Sequence, residues 1–142
     1  MTEPSSACLL PLPLPEGRIE RALLFAVRRM AAHGVRDVSA AWLLIDLFST
    51  GFRRPLVLLR AFMLELAQAS QAPILVAPCC ALRMTREEGL IIEVLRTAAT
   101  DLVAAEHALA ALTRNPHVCE PLSAAAVLGR AIAEPAARQP PR

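Results

Sequence analysis

Apolar residues recur at helical spacing along most of this chain. Ile19, Leu23, Ala26, Val27 and Met30 fall three or four residues apart, which predicts an amphipathic helix over Arg18–His33. Arg18, Arg21, Arg28 and Arg29 take its other faces in this reading, and Gly34 suits the left-handed position beyond the end. A second helix is predicted from Asp37 or Val38 to Gly51, with Asp37 as its N-cap and Leu43, Leu44, Leu47 and Phe48 making it mostly apolar. A third carries Pro55 in its first turn, where proline is well tolerated, and only Arg60 and Glu65 are charged between Leu56 and Leu66. Apolar on nearly all sides yet too short to cross a bilayer, it is predicted to be a buried central helix.

The pattern then breaks over residues 73–85. Pro73 and Pro78 keep this connector extended, and Thr85 with Glu88 three residues later forms a capping-box signature that starts a fourth helix. No proline follows until Pro116, and Asn115 is placed as a left-handed cap. Ile91, Leu95, Ala98, Leu102, Ala105, Leu109 and Leu112 alternate four and three apart, so one long helix over residues 86–114 is expected, its stripe forming a seam inside the bundle in preference to one between two chains. A fifth helix, alanine-rich, spans residues 121–134 and stops at Pro135. Before the first helix, Pro4, Pro11, Pro13 and Pro15 forbid helix and favour an extended strap whose Leu10, Leu12 and Leu14 suit a groove between helices. The expected fold is all-α: a single-domain bundle of about five helices, with a proline-rich strap over residues 1–16, a helical domain over 17–135 and a disordered tail over 136–142.

Composition adjusts this picture in two places. Hydrophobic residues make up 55% of the 142 and mean hydropathy is +0.44, an excess that points to a self-association surface or a ligand cavity. Lysine and tyrosine are absent, so all 15 basic residues are Arg, which fits an Ala- and Arg-rich GC-biased genome. Eight of these Arg lie between Arg18 and Arg60 against three acids, Glu20, Asp37 and Asp46, a local excess compatible with an anionic partner. The third helix is nevertheless too apolar to serve as a recognition helix, so nucleic acid is not an expected partner. The N-terminus lacks a signal peptide's basic region, and the longest uncharged run, residues 66–82, is interrupted by two prolines and cannot span a membrane. Four Cys without a secretion signal read as reduced thiols, and the expected location is cytoplasmic.

The chemistry is concentrated in the connector. Cys79 and Cys80 are adjacent, near a helix N-terminus and near Arg83 and Arg86, the combination that lowers a thiol pKa. They form a candidate reactive thiol pair or soft-metal site, for zinc or a similar ion, although no cofactor is predicted outright. His117-x-Cys119 is a second metal fragment, but a helix over residues 86–114 would hold the two about 42 Å apart, which rules against a shared site unless that helix breaks. Cys8 on the strap is placed where it reaches either end. Arg53 and Arg54 at the start of the third helix form a candidate anion site. Enzyme signatures fail: there is no Gly-rich nucleotide loop, H-E-x-x-H or G-x-S-x-G, and an enzyme is the disfavoured reading.

Phe52-Arg53-Arg54-Pro55-Leu56-Val57-Leu58-Leu59-Arg60, followed by Ala77-Pro78-Cys79-Cys80 and Arg83-Met84-Thr85, resembles a family of small uncharacterised alphaproteobacterial proteins over residues 15–100. That resemblance implies a bacterial, cytoplasmic protein and no particular activity. The functional expectation is a helical interaction or regulatory domain with a protein partner or a second copy as its binding partner. A thiol-based redox sensor or soft-metal binder at Cys79 and Cys80, and anion or nucleic-acid binding through the helix start at Arg53 and Arg54, are the alternatives.

Overall fold

The computed structural model describes residues 10–138. Among them the order is β1 (Leu12–Pro13), α1 (Arg18–His33), α2 (Val38–Phe48), a 3-10 turn (Ser49–Gly51), α3 (Arg53–Ala69), β2 (Arg83–Met84), α4 (Arg86–Thr97), α5 (Leu102–Thr113) and α6 (Cys119–Arg138). The all-α class holds, with six helices where about five were expected. Cys8 and the last residues of the predicted tail lie outside the described residues.

The added helix arises because the predicted fourth helix breaks in its middle. The Thr97 hydroxyl donates to the Glu93 carbonyl at 2.7 Å, and the amides of Thr100 and Asp101 both fold back onto the Thr97 carbonyl. The Asp101 carboxylate then accepts from the Ala104 amide and starts α5 as its N-cap. Short hydroxyl and carboxylate side chains compete with the helix for backbone partners, and here they win. The apolar stripe is therefore folded onto itself. Ile91 and Leu95 of α4 and Ala98 at its C-cap join Ala105, Leu109 and Leu112 of α5 in one core, while Leu102 at the break is exposed. Gly129 of α6 permits close approach to this turn, since a Cβ there would sit 3.1 Å from that of Ala99.

α3 and α6 run antiparallel. Asn115, just before α6, donates to the Ala69 carbonyl at the end of α3, and Arg54 at the start of α3 lies 3.8 Å from Glu134 late in α6. The expectation of a buried central third helix is corrected: Leu56, Leu59, Phe62 and Leu66 face the core, but Val57 and Leu64 are 59% and 50% exposed. A helix packed against neighbours on one side covers one face, and apolar residues on the other remain in solvent. Two termini also differ from expectation. Arg114, not Asn115, takes the left-handed conformation after α5, and α6 continues through Pro135 to Arg138, since a proline near a helix end removes only one hydrogen bond of the ladder.

Residues 10–17, the described part of the predicted strap, are extended and docked. Leu12 and Pro13 pair antiparallel with Met84 and Arg83, and Leu12 and Leu14 pack on a small second core of Leu24, Met84 and Ile92. The Arg83 guanidinium donates to the carbonyls of Leu10 and Pro11, and Arg21 donates to that of Pro15. Gly89 makes room for this docking: a Cβ there would fall 2.3 Å from Leu12 Cδ1. Val at position 89 should therefore displace Leu12 and cost about 1–3 kcal/mol, measured by denaturant unfolding, with most of that cost absent when Leu12 is already Ala.

Two surface ion pairs tie the helices laterally. Arg96 donates to both oxygens of Glu20 at 2.9 and 2.7 Å, which holds that carboxyl below its ordinary pKa. Arg29 does the same for Asp37 at 3.2 and 3.1 Å, with a further hydrogen bond from the Ala40 amide. Both carboxyls are depressed by folding, so their contribution is complete above about pH 4 and is lost as the pH falls from there through the lower folded-state values. Glu20→Gln should flatten the acid limb of a stability–pH curve, with a loss at neutral pH of under about 1 kcal/mol because the pair is exposed.

Candidate functional site

The connector between α3 and α4 is built around one arginine that periodicity placed off the apolar face of α1. Arg28 is 1% exposed. Its Nε donates to Glu88 Oε2 at 2.6 Å, one terminal nitrogen to Glu88 Oε1 at 3.1 Å and to the Arg83 carbonyl at 2.8 Å, and the other to the Ala81 carbonyl at 2.9 Å. The guanidinium also lies over the Phe25 ring, 5.8 Å from its centroid. Both side chains of the ion pair are wholly buried. Leu24, four residues earlier on the same side of α1, is buried in the small second core, and that spacing was the available sign that Arg28 points inward.

Glu88 serves two structures at once. Its Oε1 accepts from the Thr85 amide at 2.9 Å while its own amide donates to Thr85 Oγ1 at 3.0 Å, completing the capping box read from sequence. The Thr85 hydroxyl donates in turn to the Leu75 carbonyl, ten residues back in the connector. Carbonyls at positions 75, 81 and 83 are thus all tied to the start of α4 or to Arg28.

This clamp leaves a turn on the outside. The Ala81 amide donates to the Pro78 carbonyl at 3.0 Å, so Cys79 and Cys80 occupy the two central positions of a β-turn, and both thiols are exposed. The capping box of α4 is formed by Thr85 and Glu88, not by either thiol. Arg83, expected beside the thiols, instead spends its guanidinium on the strap. Cys79 reaches into an open groove of about 720 Å³ lined also by Phe25, Arg29, Ser39, Trp42 and Asp46. Trp42, the single tryptophan, is 63% exposed there.

The other candidates are placed apart from this turn. Breaking the long helix removes the 42 Å separation argument, yet among the described residues no three or more His, Cys, Asp or Glu side chains gather as a metal site. His117 and Cys119 are exposed at the start of α6 and do not join the pair. Arg53 and Arg54 open α3 as exposed residues, and no side chain caps that helix end. Arg53 shares a face with Val57, Arg60 and Leu64, spaced four, three and four apart. That face borders a trough in two parts. One part, about 440 Å³, is lined by Val35, Arg36, Val57, Arg60, Ala61 and Leu64. The other, about 600 Å³, shares Val35 and Leu64 and continues over Met30, Met63, Pro73 and Ile74.

A family model described as "Family of unknown function (DUF6628)" matches residues 1–142. The chain belongs to this family. The match spans the strap, the thiol turn and the whole bundle, where the resemblance from sequence covered residues 15–100. No curated protein and no solved structure matches the chain. Among the described residues no helix is long and apolar enough to cross a membrane.

Removing one partner of the buried pair leaves a buried charge, so Arg28→Met should cost about 3–5 kcal/mol in chemical denaturation. Arg28→Met combined with Glu88→Gln should recover part of that loss, because Gln keeps an acceptor for Thr85 and removes the stranded carboxylate. In Arg28→Met the Ala81 amide should also exchange its hydrogen faster, since its turn has lost its anchor.

Proposed function

We propose that the protein is a small helical interaction domain whose trough along α3 takes an amphipathic, acid-bearing helix of a protein partner. The observation that carries this reading is the exposed face of α3. Val57 and Leu64 stand in solvent between Arg53, Arg60 and the neighbouring Arg36, with no Asp or Glu among the residues that line the trough. From Val57 to Ala67 the face is about 15 Å long, which suits roughly three turns of a docked helix. Met30 and Met63 on the floor supply adaptable apolar surface. An acidic residue at one end of the guest would meet the arginines, setting its direction and speeding encounter.

Features first considered for association are already used within the chain. The α4–α5 stripe is core, and Leu12 and Leu14 are docked. The trough is apolar surface that stays open in the fold. Three exposed free thiols among the described residues, Cys79, Cys80 and Cys119, accord with a reducing, cytoplasmic setting.

Selection of a phage-displayed random peptide library on the full chain tests this reading. Recovered peptides should pair apolar residues at helical spacing with Asp or Glu. Arg36→Glu and Leu64→Asp should each weaken their binding at least about tenfold, while Trp42→Ala, on another face, leaves it unchanged. Binding should also fall as salt rises. Peptides indifferent to both trough substitutions would overturn the assignment, and a dimer of the chain that Leu64→Asp dissolves would give the trough to a second copy instead.

A further inference from the structure

We propose that Cys79 and Cys80 form a two-thiolate site for a thiophilic ion of low coordination number, of the cuprous or trivalent-arsenic class, and that the Trp42 groove receives any apolar group the ion carries. The proposal does not depend on the trough. It rests on four observations: two exposed thiols on one β-turn, the turn's fixed backbone, the lack among the described residues of a metal site of three or more ligands, and the aromatic groove that Cys79 lines.

Distances decide what two neighbouring thiols can do. Consecutive Cα atoms across a trans peptide are about 3.8 Å apart, whereas a disulfide wants about 4.4–6.8 Å between its Cα atoms. Direct S–S bonding between Cys79 and Cys80 would thus distort the turn, at a cost of several kcal/mol. Chelation imposes no such demand. Two sulfurs bound at about 2.3 Å to one ion stand about 3.8 Å apart at a tetrahedral angle and further apart at wider angles. Side chains of adjacent residues reach that separation without moving the backbone. The Pro78–Ala81 hydrogen bond and the grip of Arg28 on the Ala81 carbonyl hold the pair in place before an ion arrives. Preorganisation of this kind lowers the ordering cost of binding.

Ligand number decides which ion. Zinc in structural sites takes four ligands, and among the described residues no third His, Cys, Asp or Glu gathers with the pair as a metal site. Ions satisfied by two or three soft ligands meet no such shortage, and thiolates select them. A cuprous ion would displace both thiol protons and form a bis-thiolate complex. An arsenical with an As=O group would condense with the two thiols, making two As–S bonds and releasing one water. The groove of about 720 Å³ beside Cys79, with Phe25 and Trp42 in its wall, offers room for an organic substituent on arsenic.

The groove also supplies the readout, because Trp42 is the sole tryptophan and stands beside Cys79. The experiment uses the full chain reduced with a phosphine, in three arms: cuprous ion in competition with a chromophoric chelator, phenylarsine oxide against inorganic arsenite, and zinc. The expected result is one cuprous ion or one arsenical per chain, quenching or shifting Trp42 emission, with zinc bound at least a hundredfold more weakly than cuprous ion. Cys79→Ser and Cys80→Ser should each lose binding at least tenfold, while Cys119→Ser retains it. Trp42→Ala should narrow the preference for phenylarsine oxide over arsenite while leaving cuprous binding intact. Cys79, Cys80 and Cys119 are all exposed, so their serine variants are expected to keep the wild-type circular dichroism and melting profile. Full binding in either Cys79→Ser or Cys80→Ser would overturn the proposal, as would one ion shared by two chains or zinc held as tightly as cuprous ion.

Discussion

A single buried ion pair sets the shape of the chemically distinctive half of this molecule. Desolvating Arg28 and Glu88 is expensive, and an isolated buried charge of either sign would not survive. The pair persists because both groups are nearly saturated with partners: Arg28 with two carboxylate oxygens and two carbonyls, Glu88 with the guanidinium and the Thr85 amide. Those partners belong to a connector with little regular structure of its own. Without the arginine, its carbonyls at positions 81 and 83 would need other donors, and the segment would lose its buried anchor. Arg28 thereby converts a loop into a fixed surface on which the thiol turn, the β2 strand and the docked strap all depend.

Much of the bundle was legible because local chemistry and periodicity agreed. Thr85 and Glu88 announced the start of α4, Asp37 capped α2, and Gly34 followed α1 at positive φ. Failures occurred where a residue served a distant partner. Arg28 looks like one of four solvated arginines on α1, and only its carboxylate sixty residues away explains its burial. The break between α4 and α5 carried a local sign, Thr97, Thr100 and Asp101 in close succession, but the regular apolar stripe overrode it. Because that stripe is continuous in sequence, it reads equally as one long helix or as two helices folded face to face. α3 misled in the opposite way, since its apolar surplus reflects an exposed face as well as a core face.

The site was only half visible in sequence. Adjacent cysteines drew attention to the connector, and their exposure on a turn follows from the hydrogen bonds that hold residues 78–85. The sequence placed a helix N-terminus and Arg83 beside them, whereas the helix end is filled by its own capping box and Arg83 is committed to the strap. Trp42 gave no local signal at all. It comes beside Cys79 because α2 packs on α1, and α1 carries the arginine that fixes the turn.

Side-chain NMR of Arg28 tests this account most directly. Its Nε–H resonance should persist in water with hydrogen exchange at least about a hundredfold slower than that of exposed arginines such as Arg36, because exchange requires opening of the connector. It should show coupling through the hydrogen bond to the Glu88 carboxylate. An Arg28 Nε–H that exchanges as fast as that of Arg36 would mean that the guanidinium lies in solvent, and the clamp on the connector would have to be abandoned.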